Sequence, residues 1–365
     1  MTIKFINGKF TAQRLTGVQR AASCLVSVID QSLLREHSGD SGDWVLLCPQ
    51  SGIVPAFRNI KVQRVGPIGL SLHLWEQLLL PFAARSGSLT SLAGSAPLLA
   101  RNHHVLMHDA AVFDWPGAYT RTFAGWYRLL FRCLARSGAT LLTVSQFSRE
   151  RLASALKVTK DRIAVIPLGS DHLDDIVADS SIATRLGLAG MRYLLAVASD
   201  NPTKNVEALL AAFAQLRPDE NLRLVIVGGR NAQVFRATAS STATANVIHA
   251  GPVSDPELKA LYAQATALVF PSLYEGFGLP PLEAMACGCP VIAARAASVP
   301  EVCGDAALYF DPRSQDSIVA ALQTVLVDSN LRERLRAAGR ARKASFRWID
   351  SARSLLAHLD RKGLA

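Results

Sequence analysis

The sequence contains no Cys-x-x-Cys pair, no run of about 18 apolar residues and no Asp-x-Asp near the end of a strand-like stretch. The first absence argues against a zinc site or a disulfide framework. The six cysteines, Cys24, Cys48, Cys133, Cys287, Cys289 and Cys303, read instead as thiols of a chain in a reducing compartment, with Cys287 and Cys289 as small core residues. The second absence argues against a membrane-spanning helix. The third leaves no obvious platform for a divalent metal. The opening MTIKFINGKF lacks the apolar stretch of a secretory leader, so the expected location is cytoplasmic. No Gly-x-Gly-x-x-Gly follows the first strand-like run with an acidic residue about 20 positions on, which argues against a dinucleotide-dependent oxidoreductase. No nucleic-acid-binding module or aromatic–basic platform is present, so nucleic acid is not an expected partner.

What the chain does have is length, apolar residues and positive charge. Its 365 residues exceed one ordinary core and suit two domains; 50% are hydrophobic and 19% charged, a globular composition. The net charge of +10 suits phosphate-bearing ligands or an anionic surface, and equally a solvated basic face.

Short Val/Ile/Leu runs alternate with helical patterns, which predicts parallel βαβ units and an α/β fold. Strands are expected at Ile3–Ile6, Trp44–Cys48, Val62–Val65, Val105–Met107, Leu141–Val144 and Ile163–Ile166, and a first helix from Val18. The rhythm resumes with strands at Tyr193–Ala198, Leu222–Val227, Asn246–His249, Ala267–Phe270 and Val291–Ala294. The polar stretch Leu168–Leu188 reads as a linker. It divides a domain at 1–170 from one at 171–345, and the amphipathic segment 346–365 is expected to cross back to the first.

The most informative segment is PSLYEGFGLPPLEAMACGCP, Pro271 to Pro290. An apolar strand ends at Phe270; Gly276 and Gly278 then let backbone approach a ligand closely. Pro280 and Pro281 mark a helix start, where unpaired N–H groups and a partial positive charge favour an anion. Glu275 in the loop and Glu283, expected in the first helical turn, would flank that anion site, where a carboxylate can accept from vicinal hydroxyls. This segment resembles the E-x7-E signature of the retaining glycosyltransferases of family four. The likeness continues through Met285, Ala286, Gly288, Pro290 and Val291 to Val299-Pro300-Glu301, and upstream over Gly251 to Ser272.

The resemblance implies a GT-B architecture, two Rossmann-like domains facing across a cleft, with the nucleotide-sugar donor held mainly by the second. It implies that Glu283 binds the nucleotide ribose, that Glu275 lies by the donor sugar, and that amides of Gly276, Phe277, Gly278 and Leu279 contact sugar and phosphate. Lys204, after a strand and before a helix, would neutralise the leaving diphosphate, near Gly228 at another strand end. Many relatives carry an arginine six residues before that lysine; this chain has Ala198, so Arg230 is a further candidate. In the first domain the resemblance puts His108 near the donor sugar, with Asp109 orienting it or binding the acceptor, and Gly17 in a loop that phosphate or acceptor approaches. Ser148 reads as a helix cap.

Arg121, Arg128, Arg132 and Arg136 share one face of an expected helix over 119–137, which either lies on an anionic membrane or simply faces water. The expected activity is retaining transfer of a hexose, with mannose from GDP-mannose as the guess, to a glycan or lipid-linked saccharide in bacterial polysaccharide synthesis. No cofactor or metal is expected, because protein charge and a helix terminus would stabilise the leaving group. A non-catalytic sugar-nucleotide-binding module is the alternative.

Overall fold

The computed structural model describes residues 3–33, 43–217, 219–229 and 246–360. The chain divides into two compact units. The first comprises Met1–Ala110, Gly125–Gly169 and Trp348–Ala365; the second comprises Ala111–Ala124 and Ser170–Arg347.

The first unit is built on strands β1 (Ile3–Asn7), β2 (Trp44–Cys48), β3 (Lys61–Arg64), β4 (Gly87–Ser91), β5 (His103–Leu106), β6 (Thr140–Thr143) and β7 (Ile163–Val165). They form one parallel sheet in the order β3-β2-β1-β4-β5-β6-β7. Buried on both faces, its inner strands read as near-continuous apolar runs; all five residues of β2 are buried. Helix Gly17–Leu33 turns Ala21, Ala22, Leu25, Val26 and Ile29 inward. Helix Trp348–Asp360 packs against it, and its Ser351 Oγ donates to the Pro167 carbonyl at 2.5 Å. The return to this unit begins at Trp348; Phe346 stays with the second unit, where its carbonyl accepts from Ser170 N and its ring meets Phe277 edge-on.

The second unit carries β8 (Arg192–Val197), β9 (Leu222–Val227), β10 (Val247–Gly251), β11 (Ala267–Phe270), β12 (Val291–Ala294) and β13 (Ala307–Phe310). Their parallel order is β10-β9-β8-β11-β12-β13. One face is sealed by Leu209, Leu210 and Phe213 of helix Val206–Ala214 and by Ile318, Leu322 and Val325 of helix Gln315–Val327. Helix Asp255–Gln264 opens with a full capping box, in which Ser254 and Glu257 satisfy each other's backbone N–H groups.

In each sheet the strand order reverses once, between β1 and β4 and between β8 and β11. The loops leaving the carboxyl ends of such a pair diverge and leave a crevice, where open α/β sheets bind ligands. The expected site residues group at these two places. Two strands have no counterpart in the sequence reading: β4, whose Gly-Ser-Leu-Thr-Ser has little apolar character, and β13.

Candidate active site

At the switch point of the second unit the loop after β8 runs through Ser199 to a short 3-10 turn, Pro202–Lys204. Asn201 fixes the turn: its Oδ1 accepts from both the amide and the hydroxyl of Thr203 at 3.0 Å. Asn205 then adopts a left-handed conformation, φ 56°, and starts the helix Val206–Ala214. The Thr203 carbonyl accepts from Leu273 N at 2.7 Å, which ties this loop to the one after β11. Across the junction Lys204 Nζ lies 2.6 Å from Glu275 Oε1, a part-buried ion pair. The two candidates from loops 71 residues apart are thus in direct contact.

The Glu275–Gly278 loop is held from below by Ser298, whose hydroxyl lies 2.9 Å from the carbonyls of Glu275 and Phe277. Tyr274 OH donates to Asp114 Oδ2 at 2.9 Å. The Phe277 and Leu279 side chains are buried. Gly278, φ 103°, is the N-cap of helix Leu279–Ala286, a conformation closed to most side chains. Pro280 and Pro281 carry no N–H, so among the first four helical residues only Leu279 and Leu282 have donors for an anion. Gly228 is needed because β8 and β9 end in close contact: a Cβ there would fall 1.8 Å from the Ala198 carbonyl oxygen, at φ +145°. Arg230 lies outside the described residues.

Glu283 is the fifth residue of its helix and so sits in the second turn, not the first. The helix begins at Leu279 because Gly278 supplies the cap, and the offset aims Glu283 inward rather than at the helix terminus. It is 4% exposed. Its Oε2 accepts from Tyr262 OH at 3.0 Å, and its Oε1 lies 3.1 Å from His172 Nε2. Burial, and then the Glu283 charge, hold the Tyr262 hydroxyl well above its usual pKa, so it stays protonated and donates. His172 belongs to the turn Asp171–Leu173, just after the division between the units. That segment is pinned by Lys259, whose Nζ donates to the carbonyls of Leu173, Asp174 and Ile176 at 2.8, 3.0 and 2.7 Å.

In the first unit His108 follows β5 and is buried. Its Nε2 lies 2.9 Å from the Leu92 carbonyl oxygen, which can only accept; Nε2 therefore carries the proton and Nδ1 is the bare nitrogen. Burial pushes its pKa down to about 4, so the ring is neutral near pH 7. The His108 carbonyl accepts from Ser148 Oγ at 3.0 Å. Ser148 is not the helix cap: Ser145 is, accepting from Ser148 N, and Ser148 instead braces His108. Asp109 is half-buried beside it, and Gly17 is the exposed first residue of its helix. A Cβ on Gly94 would lie 3.9 Å from His108 Cδ2 and 4.0 Å from Val18 Cγ1, so the turn at Gly17-Val18 and His108 share one end of the sheet.

The six cysteines are free thiols. Burial pushes Cys48 and Cys287 up to about 11 and Cys289 and Cys303 up to about 12; Cys48, Cys289 and Cys303 are core residues, whereas Cys287, expected in the core, is only partly buried. Sequence reasoning missed His172, Tyr262, Asn201, Thr203 and Ser298. The signal for Tyr262 and Ser298 was only their presence within the family-like stretch, and His172 fell in the presumed linker.

Residues 185–342, all within the second unit, match the model of the family described as "Glycosyl transferases group 1". The chain is 33% identical over 249 residues to the O-antigen chain mannosyltransferase B of Escherichia coli, an alignment covering 66% of this chain and 65% of that protein. It is 33% identical over 276 residues to the MMP alpha-(1->4)-mannosyltransferase of Mycolicibacterium hassiacum, covering 72% and 64% respectively. The chain thus spans just under two thirds of the length of these relatives. Its fold is that of sucrose-phosphate synthase from Thermosynechococcus elongatus, with a TM-score of 0.73 at 19% identity over 99% of this chain and 98% of the other. The lipopolysaccharide glycosyltransferase WaaG superposes with a TM-score of 0.67 at 16% identity, over 97% and 98% of the two chains. The architecture is GT-B.

Proposed function

We propose that this chain is a retaining glycosyltransferase that moves a hexose, specifically mannose from GDP-mannose, onto a glycan or lipid-linked saccharide in polysaccharide or lipopolysaccharide synthesis on the cytoplasmic side of the membrane. The observation that carries the reading is the contact of Lys204 with Glu275 at the sheet's switch point, in the loop that runs into buried Glu283. The names of the two mannosyltransferase relatives support the choice of sugar.

In this reading Glu283 accepts hydrogen bonds from the ribose hydroxyls, while Tyr262 and His172 hold its carboxylate in position. Lys204 meets the diphosphate as negative charge develops on it, and the amides at the start of helix Leu279–Ala286 add to that stabilisation. Glu275 accepts from a hydroxyl of the transferred sugar, and the bare Nδ1 of His108 is the acceptor that the first unit offers. The leaving diphosphate stays on the face it departs from and takes the proton of the acceptor hydroxyl, which retains the anomeric configuration. Protein charge replaces a metal in this scheme.

The test is a thermal-shift series with GDP, UDP, dTDP and ADP and their mannose or glucose derivatives, because a ligand that binds the folded state raises its stability with affinity. GDP and GDP-mannose are expected to give the largest shifts. A larger shift with UDP would overturn the donor, and no shift with any of them would overturn the reading itself.

A further inference from the structure

For the helix over 119–137 the sequence leaves open a lipid surface or a face in water, and its apolar side is already occupied. Leu130, Phe131, Leu134 and Ala135 are buried, and only Leu129 among its large apolar residues is exposed. The unpartnered apolar face lies elsewhere in the first unit, on the helical run Leu72–Leu74, Trp75–Leu79 and Leu80–Ala83, whose middle stretch has the wider π-helical turn.

That run has two unlike faces. Trp75, Leu80 and Ala84 enter the core, and Trp75 Nε1 donates to the Val65 carbonyl at 2.8 Å. Outward point Leu74, Leu78 and Phe82, spaced four residues apart and 50, 63 and 66% exposed. Gln77 bonds Ala96 O and Leu98 N at 3.0 and 3.1 Å, which fixes the neighbouring loop against the run and leaves Leu99 79% exposed. Single exposed apolar residues are ordinary, but a row of large ones along a helix marks a binding surface.

Charge selects the occupant. Between Asp43 and Asp109 the only carboxylate is Glu76, which is 1% exposed and paired with Lys9, so this stretch shows solvent no acidic side chain. Its exposed charges are basic, among them Arg85, whose guanidinium sits 4.3 Å from the Phe82 ring centre, and Arg101, two residues past Leu99. Apolar side chains with a cationic rim and no anion fit an interfacial helix on anionic lipid. We propose that the outer face of residues 72–84 docks this chain on an anionic membrane surface, with Leu74, Leu78 and Phe82 entering the headgroup layer and Arg85 and Arg101 at its edge.

Docking through this face does not depend on the assigned chemistry, so it is tested without any activity measurement. The full chain is sedimented with vesicles of phosphatidylcholine alone and of phosphatidylcholine with phosphatidylglycerol. Wild type is expected to partition onto the anionic vesicles at least tenfold better than onto the neutral ones. The triple variant Leu74→Gln/Leu78→Gln/Phe82→Gln is expected to lose at least tenfold of that binding with its melting temperature kept, and Leu129→Gln to lose none. If the triple variant fails to fold, Leu78→Gln alone replaces it, with a several-fold loss expected. Wild type that ignores both vesicle types, or variants that bind as well as wild type, would overturn the proposal. So would a dimer in sedimentation equilibrium that the triple variant dissolves, because the face would then belong to a second copy.

Discussion

His172 Nε2 and Glu283 Oε1 face each other at 3.1 Å, and both side chains are almost wholly buried. A buried carboxylate held by a hydroxyl on one oxygen and an imidazole on the other has a defined orientation and still has lone pairs to offer. His172 is therefore expected to act through Glu283. His172→Ala should weaken GDP binding by about tenfold, roughly 1.4 kcal/mol, while kcat at saturating donor changes little. Calorimetric titration and steady-state kinetics give the two readouts, and Glu283→Ala should abolish the nucleotide-induced thermal shift. Tighter nucleotide binding by His172→Ala would show that the imidazole competes with the ligand instead.

Lys204 and Glu275 neutralise each other in the structure, so a bound diphosphate must share or take over the ammonium group. The interaction with developing charge is strongest in the transition state. Lys204→Ala is expected to lower kcat at least about tenfold, with Lys204→Arg partly restoring it, since arginine keeps charge but not shape. Glu275→Gln should leave nucleotide affinity close to wild type and lower turnover. Initial-rate measurements check both, and an unchanged kcat in Lys204→Ala would remove that residue from the mechanism.

The loop around Glu275 was legible because glycines, paired prolines and two acids occur in one short window, and each imposes a local constraint. The strands β2, β9, β11 and β12 were legible as apolar runs. Strand β4 was not: its Thr90 and Ser91 are buried polar residues, and Ser91 is satisfied by Asn7 Nδ2 at 3.1 Å and His103 Nε2 at 3.0 Å, partners far away in sequence. Strand β13 is a four-residue apolar run, which periodicity cannot tell from a piece of buried helix. His172 and Tyr262 lie 111 and 21 residues from Glu283, so only the fold brings them to it. The excursion of Ala111–Ala124 into the second unit likewise has no mark in composition.

Two buried histidines make stability depend on acid pH. Burial lowers His108 from 6.5 to about 4, and burial together with the neighbouring His104 lowers His103 to about 3. The unfolded chain takes up these protons near pH 6.5, whereas the folded chain resists until pH 4 or below. Stability is therefore complete above about pH 6.5 and falls as pH drops through the window down to about 4. His108 alone contributes on the order of 3 kcal/mol across it. Urea denaturation at pH 7, 6 and 5 should show the decline, and His108→Gln should flatten it. A slope equal to wild type in that variant would mean the ring already titrates normally in the folded state.

The first unit also encloses a charge pair that no local pattern announces. Lys9 Nζ lies 2.7 Å from Glu76 Oε2, with side chains 2 and 1% exposed. Lys9 follows β1 at the switch point, and Glu76 comes from the π-helical stretch Trp75–Leu79. The remaining valences are filled: Asn7 Nδ2 donates to Glu76 Oε1 at 2.9 Å, and Ser95 Oγ lies within 3.1 Å of Lys9 Nζ and 2.8 Å of Glu76 Oε1. Removing one partner leaves a buried charge with no counterion. Lys9→Met and Glu76→Gln should each cost about 3–5 kcal/mol. The double variant leaves no orphaned charge, so it should cost clearly less than the sum of the two, a coupling of at least about 1 kcal/mol. The cycle is read by chemical denaturation at pH 7. Additive losses would mean that the two groups ionise independently in the folded chain and that water reaches the pair.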